Sequence, residues 1–122
     1  MPAEYVTYVG RALFAMLFVL AGTAQVIAPH RDAELAAVRR VRFVTPGLVR
    51  LGGVVQALAG IAVILGIRTT VAAGMLAVFL VVATLTMHRF WAAEDPAERA
   101  SEQAHFLKNV ALIGGALVVS VA

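Results

Sequence analysis

The sequence predicts an all-α membrane protein, a four-transmembrane-helix antiparallel bundle, and three observations carry that prediction. Of the 122 residues 61% are hydrophobic and 14% charged, with a mean hydropathy of +0.90. A water-soluble domain of this size lacks the polar groups to cover so much apolar surface. The apolar residues also fall into four runs, roughly Val6 to Ala28, Leu48 to Ile67, Thr70 to Met87 and Phe106 to Ala122. Each is near the ~20 residues that cross a bilayer as a helix. Finally, the runs are continuously apolar rather than alternating, which excludes a strand barrel, the other spanning structure that satisfies its backbone in hydrocarbon.

Local signals place the elements in order. The first helix is expected to end before Pro29, whose ring and missing N–H do not continue it. Arg11 interrupts the first run and no basic region precedes it, so this segment reads as a retained helix rather than a cleaved signal. Between the first and second spans, Asp32 to Phe43 (DAELAAVRRVRF) alternates Leu35, Ala36, Val38 and Val41 with arginines. That pattern suits either a short helix lying in the headgroups or a solvated basic turn. Thr45 and Pro46 read as N-cap and first residue of the second span. Gly66 to Thr70 forms a short turn to the third. Asp95-Pro96-Ala97-Glu98 is a capping-box-like start, so the fourth helix is expected to begin about two turns before lipid, with a polar foot from Pro96 to Ala104. One membrane-embedded domain accounts for residues 1–122, without repeats or low-complexity tracts.

The formal charge is +3 with a pI near 10.2. The basic residues sit beside membrane-length runs rather than on a polar domain, which argues against nucleic acid and for anionic lipid as a partner. Arg31, Arg39, Arg40, Arg42, Arg50, Arg89, Arg99 and Lys108 lie towards the two longer connections, against Arg11 and Arg68 at the other end. By the bias of Lys and Arg towards the cytoplasm, the longer loops are expected inside, both termini outside, and the protein in the plasma (inner) membrane.

Polar groups within lipid-spanning helices ordinarily point into the bundle or to the interface. Helical spacing places Arg11, Ala15, Phe18, Gly22 and Gln25 on one face of the first helix. In the second helix it groups Gly53, Gln56, Ala57 and Gly60, with Gln56 roughly 14 Å deep at 1.5 Å per residue. In the third, Gly74, Ala77, Val81, Thr84 and His88 share a stripe; in the fourth, His105, Lys108, Ala111, Leu112 and Gly115 do. Small residues let helix backbones approach, so the four stripes are expected to meet, with Gly22, Gly53, Ala57, Gly60, Gly74, Ala111 and Gly115 at the packing faces. Arg11, Gln25, Gln56, Thr84, His88, Lys108 and Asn109 are the candidate intrabundle contacts, to one another or to a quinone or lipid. Arg39, Arg40, Arg42, Phe90 and Trp91 are candidates for docking or for anchoring at the interface.

Conventional catalytic patterns are missing. With no cysteine the chain offers no thiolate. It has no GxGxxG, Walker loop or HExxH, and its serines, Ser101 and Ser120, have no histidine at a telling spacing. His88 and His105 are expected at one membrane surface on adjacent helices, but without further soft ligands neither a metal site nor haem is expected.

His88-Arg89-Phe90-Trp91, then Glu94-Asp95-Pro96, His105-Phe106-Leu107-Lys108-Asn109 and Gly114-Gly115 resemble the C-terminal signature of DoxX-family membrane proteins of the actinobacterial type. GRALFAMLFVLAG from Gly10 is similar to that family's first helix, and VRLGGVVQALAGIAVILGIRTTVAA from Val49 to its second and third. Met87 departs from the glycine that relatives often carry there. The resemblance implies a four-helix membrane protein associated with redox physiology, relatives being linked to thiosulfate-to-quinone electron transfer and to an oxidoreductase assembly; it transfers no catalytic set. Two functions are therefore expected in turn. One is a non-catalytic accessory or scaffold subunit of a larger membrane complex, redox, respiratory or lipid-transporting, without a cofactor. The alternative is a quinone-linked oxidoreductase subunit whose pocket is built from Gln56, His88, Lys108 and Asn109, with Trp91 packed over it.

Overall fold

A computed structural model describes residues 2–122. The described residues form α1 (Ala3–Ile27), α2 (Pro29–Val38), α3 (Pro46–Leu65), α4 (Thr69–Met87), a single 3-10 turn (Phe90–Ala92) and α5 (Pro96–Val121). Four helices, α1, α3, α4 and α5, are long and apolar enough to cross a membrane. They alternate in direction, so one end of the bundle carries the α1–α3 and α4–α5 connections (the loop end) and the other carries the α3–α4 turn (the turn end).

The helix boundaries follow from backbone chemistry. At Pro29, α1 stops and α2 begins, with the proline buried in the first turn of α2, where a missing N–H costs nothing. The region expected as either helix or basic turn is thus a helix, starting three residues before Asp32 and ending at Val38. Its end is a Schellman motif: the Val41 N–H donates to Ala36 O at 2.8 Å and the Arg40 N–H to Ala37 O at 3.1 Å, with Arg40 at φ 62° where glycine is usual. Gly66 ends α3 in the same way at φ 73°, the Ile67 N–H donating to Ala62 O at 2.8 Å. Thr45 Oγ1 accepts from the Leu48 N–H at 3.2 Å, and Asp95 Oδ2 from the Glu98 N–H at 3.1 Å. Both expected N-caps, each followed by proline, are therefore in place.

Packing is tightest between α1 and α3. A Cβ on Gly22 would lie 2.5 Å from Gly53 O, and one on Gly53 would lie 2.6 Å from Gly22 O. Farther along, a Cβ on Gly60 would meet Val19 Cγ2 at 2.9 Å. Here glycine is required because backbone faces backbone, the mode by which helices associate when lipid supplies no hydrophobic drive. Helix α3 packs on α4, α4 on α5, and α1 meets α5 where Phe14 lies against Gly115. Ala15, Phe18, Ala59, Val63, Ala72, Ala73, Leu76, Leu80 and Val119 fill the centre. Outward, Leu13, Leu20, Val78 and Leu117 are each at least 60% exposed. An apolar sleeve of that extent belongs in hydrocarbon.

The inward faces of α4 and α5 differ from those expected. Ala73, Leu76, Leu80 and Thr84 are the buried line of α4, whereas Gly74 has nothing within 4 Å of its Cβ position and Val81 is 42% exposed. On α5 the buried line is Glu102, Asn109, Ala116 and Val119, while His105, Lys108 and Ala111 are exposed. On α4 Thr84 is common to the expected and the buried line; otherwise the buried line of α4 lies one residue before the expected stripe and that of α5, at Asn109 and Ala116, one residue after it, a rotation of about 100° on a 3.6-residue helix. On α4 the larger side chains Leu76 and Leu80 fill the interior more completely than Gly74 would, and leaving a glycine toward lipid costs little.

Candidate functional site

The loop end gathers most of the charged chemistry that the bundle encloses. Arg39, set just beyond α2 by the Schellman turn, extends its guanidinium across the bundle. There it donates to the carbonyl of Met87, at the end of α4, and to Glu102 Oε1 at 2.5 Å. Glu102 Oε2 lies 2.8 Å from His88 Nδ1, so an ionised Glu102 requires the tautomer that carries the proton on Nδ1. His88 is the C-cap of α4, its own N–H bonded to Thr84 O, and the His105 ring stacks on it with centroids 5.1 Å apart and planes at 24°.

Two features of the chain bring these groups together. Helix α5 starts six residues before Glu102, which raises that carboxylate to the level at which α4 ends. The last carbonyls of α4 lack intrahelical donors and carry the negative end of its dipole, so the Arg39 cation is favoured there. Glu102 is only 7% exposed, and its two partners satisfy both of its oxygens. The polar foot, expected to stand in water or headgroups, therefore holds a buried ion-pairing hub. Glu102 lies outside the sequence-predicted set. Its one detectable signal is the seven-residue spacing that puts it on the face of Asn109.

Around this hub the other candidates divide. Gln56, 2% exposed, donates its side-chain amide to Gln25 Oε1 at 2.6 Å, a link between α1 and α3 beside the Gly22–Gly53 contact. Thr84 is 3% exposed and its hydroxyl donates to Leu80 O within its own helix. Asn109 is buried at 6% exposure. Phe90 and Trp91 form an edge-to-face cluster with Phe106, centroids 5.3 to 5.8 Å apart, at the corner between α4 and α5, with Trp91 half exposed. Arg40 and Arg42 are exposed on the loop, Lys108 is exposed on α5, and Arg11 lies at the turn end against Gly66. The four groups named for a quinone pocket thus do not converge: the Gln56 amide is taken by Gln25 and Lys108 faces outward. Open grooves flank α2, one over Arg40 to Val44 and one at the end of α1 beside Gln25, Arg31 and Asp32.

The class these features define is a small multi-pass membrane protein with a few buried polar side chains in its interior and a cross-braced loop end. The family model for DoxX matches residues 6–89, more than half of the chain, and the protein belongs to the DoxX family. The matched region contains α1 from Val6 onward, α2, α3, α4 and His88; Glu102 and the rest of α5 lie beyond it. No curated protein and no solved structure matches the chain.

Proposed function

We infer that the protein is a non-catalytic accessory or scaffold subunit of a larger membrane complex, of the redox and respiratory kind or of the lipid-transport kind. Its docking face is the loop end, turned to the cytoplasm, and its residence is the plasma (inner) membrane. The observation that carries this reading is the Arg39–Glu102–His88 tie, which binds the first loop to the α4–α5 corner. Two connections so braced present one surface, which carries the aromatic corner of Phe90, Trp91 and Phe106 and the exposed Arg40 and Arg42. Aromatic and arginine side chains of this kind are the ordinary anchors of protein contacts, and the basic loop suits anionic lipid at its rim. Within the bundle the Gln25–Gln56 bond supports a structural role for the buried amides, and no cofactor is assigned.

The test is purification of the native protein in mild detergent, followed by an absorbance spectrum, quinone extraction and mass spectrometry of co-purifying chains. A colourless protein travelling with a large complex is the expected result. Quinone or haem bound in stoichiometric amount overturns the accessory reading in favour of a quinone-linked oxidoreductase subunit.

A further inference from the structure

At the turn end, away from the docking face, a partly enclosed charge, that of Arg11, is left without an answering group. Arg11 stands eight residues into α1, about 12 Å along it at 1.5 Å per residue. Its guanidinium lies flat on the α3–α4 turn: Nη2, Nη1 and Cζ come within 3.1, 3.3 and 3.4 Å of the position a Cβ on Gly66 would take. The Tyr8 ring supports it from its own helix, 4.9 Å from Cζ. Among the described residues both side-chain ion pairs meet at Glu102, at the opposite end, and Arg11 Nε is a buried nitrogen with no hydrogen-bond partner. Glu4, the acidic side chain on the same end, is seven residues earlier, about 10 Å along the helix. Arg68, exposed and two residues beyond Gly66, adds a second positive charge.

A guanidinium at the edge of hydrocarbon is stable only when an anion or water meets its donors. Tyr8 and the glycine platform hold this one in a fixed pose, and a planar fork so held matches a phosphate's paired oxygens. Gly66 caps the helix that crosses from the loop end, which puts the fork at headgroup level, where lipid phosphate is the abundant anion. Ile67 on that turn and Val71 in the first turn of α4 are 56% and 58% exposed and offer apolar surface for acyl chains. We propose that Arg11, with Arg68, holds the phosphate of one anionic phospholipid at the α3–α4 turn as a resident ligand. Two cations on one turn, neither in an ion pair among the described residues, favour a headgroup of net negative charge over a zwitterionic one.

Native mass spectrometry of the full chain in mild detergent, titrated with phosphatidylglycerol, phosphatidylcholine or inorganic phosphate, reads this directly. Wild type is expected to retain one phosphatidylglycerol in preference to phosphatidylcholine. Arg11→Gln, at unchanged helical circular dichroism, is expected to retain about tenfold less, the loss of a charge-assisted contact. If Arg11→Gln does not accumulate, Arg11→Lys serves instead: it keeps the charge, loses the fork and is expected to retain severalfold less. Retention by either variant equal to wild type overturns the proposal. So does inorganic phosphate displacing the lipid at equal concentration, which would assign the site to the free anion.

Discussion

Glu102 carries more of the loop end than any other side chain, because one carboxylate answers both a loop arginine and the histidine that closes α4. Glu102→Gln keeps the shape and removes the charge. Its expected cost is about 1–3 kcal/mol, below the 3–5 of a fully buried pair, because the Arg39 and His88 side chains keep 20% and 21% of their surface exposed. Thermal unfolding in detergent measures it. Combined with Arg39→Gln, the loss should fall short of the sum of the singles by about 1 kcal/mol or more, since the two groups share one interaction. Gln56→Leu is milder: it deprives Gln25 Oε1 of its donor, and about 1 kcal/mol or less is expected in the same assay. At this scale the sequence was partly legible. Cost alone pointed Gln56 inward, but no local pattern revealed that Arg39 and Glu102, 63 residues apart, would find each other. A charge in a polar foot reads as solvated until the fold places it against the end of another helix.

Each helix can be found from its own residues, but the direction it faces depends on its neighbours. The caps at Thr45 and Asp95, the stop at Pro29 and the turn at Gly66 are local chemistry and were readable as such. So were the glycines of α1 and α3, whose packing faces agree with expectation. On α4 and α5 Thr84 and Asn109 are buried as expected, but the stripes are otherwise displaced: Leu76, Leu80, Ala116 and Val119 are buried, and Gly74, Lys108 and Ala111 are not. Periodicity fixes a stripe but not which of two adjacent stripes meets a partner. The glycines make this distinction measurable. Gly22→Ala forces a methyl to 2.5 Å from a carbonyl oxygen with no flexible atom to yield. It should cost about 1–3 kcal/mol by parting α1 from α3. Gly74→Ala and Gly114→Ala meet nothing within 4 Å. They should lie within about 0.5 kcal/mol of wild type or gain slightly from helix propensity.

The whole molecule is a sleeve of exposed aliphatic side chains around a small core, with its charge concentrated at one end. Composition and run length were sufficient to read that architecture, because a chain this apolar has few ways to satisfy its backbone. Orientation rests on the distribution of arginines and is open to direct measurement in a chain without native cysteine. A cysteine at Ala37, exposed on α2, is expected to resist a membrane-impermeant thiol reagent in intact cells and to react after lysis. Labelling of intact cells would place the loop end outside. The braced loop end is the surface we propose a larger assembly grips. Native gel migration of Glu102→Gln beside wild type, with Gly74→Ala as control, tests that most directly. Wild type and Gly74→Ala should run with the complex while Glu102→Gln, still inserted and helical, runs free. Wild type running alone, or Glu102→Gln staying fully with the complex, would contradict it.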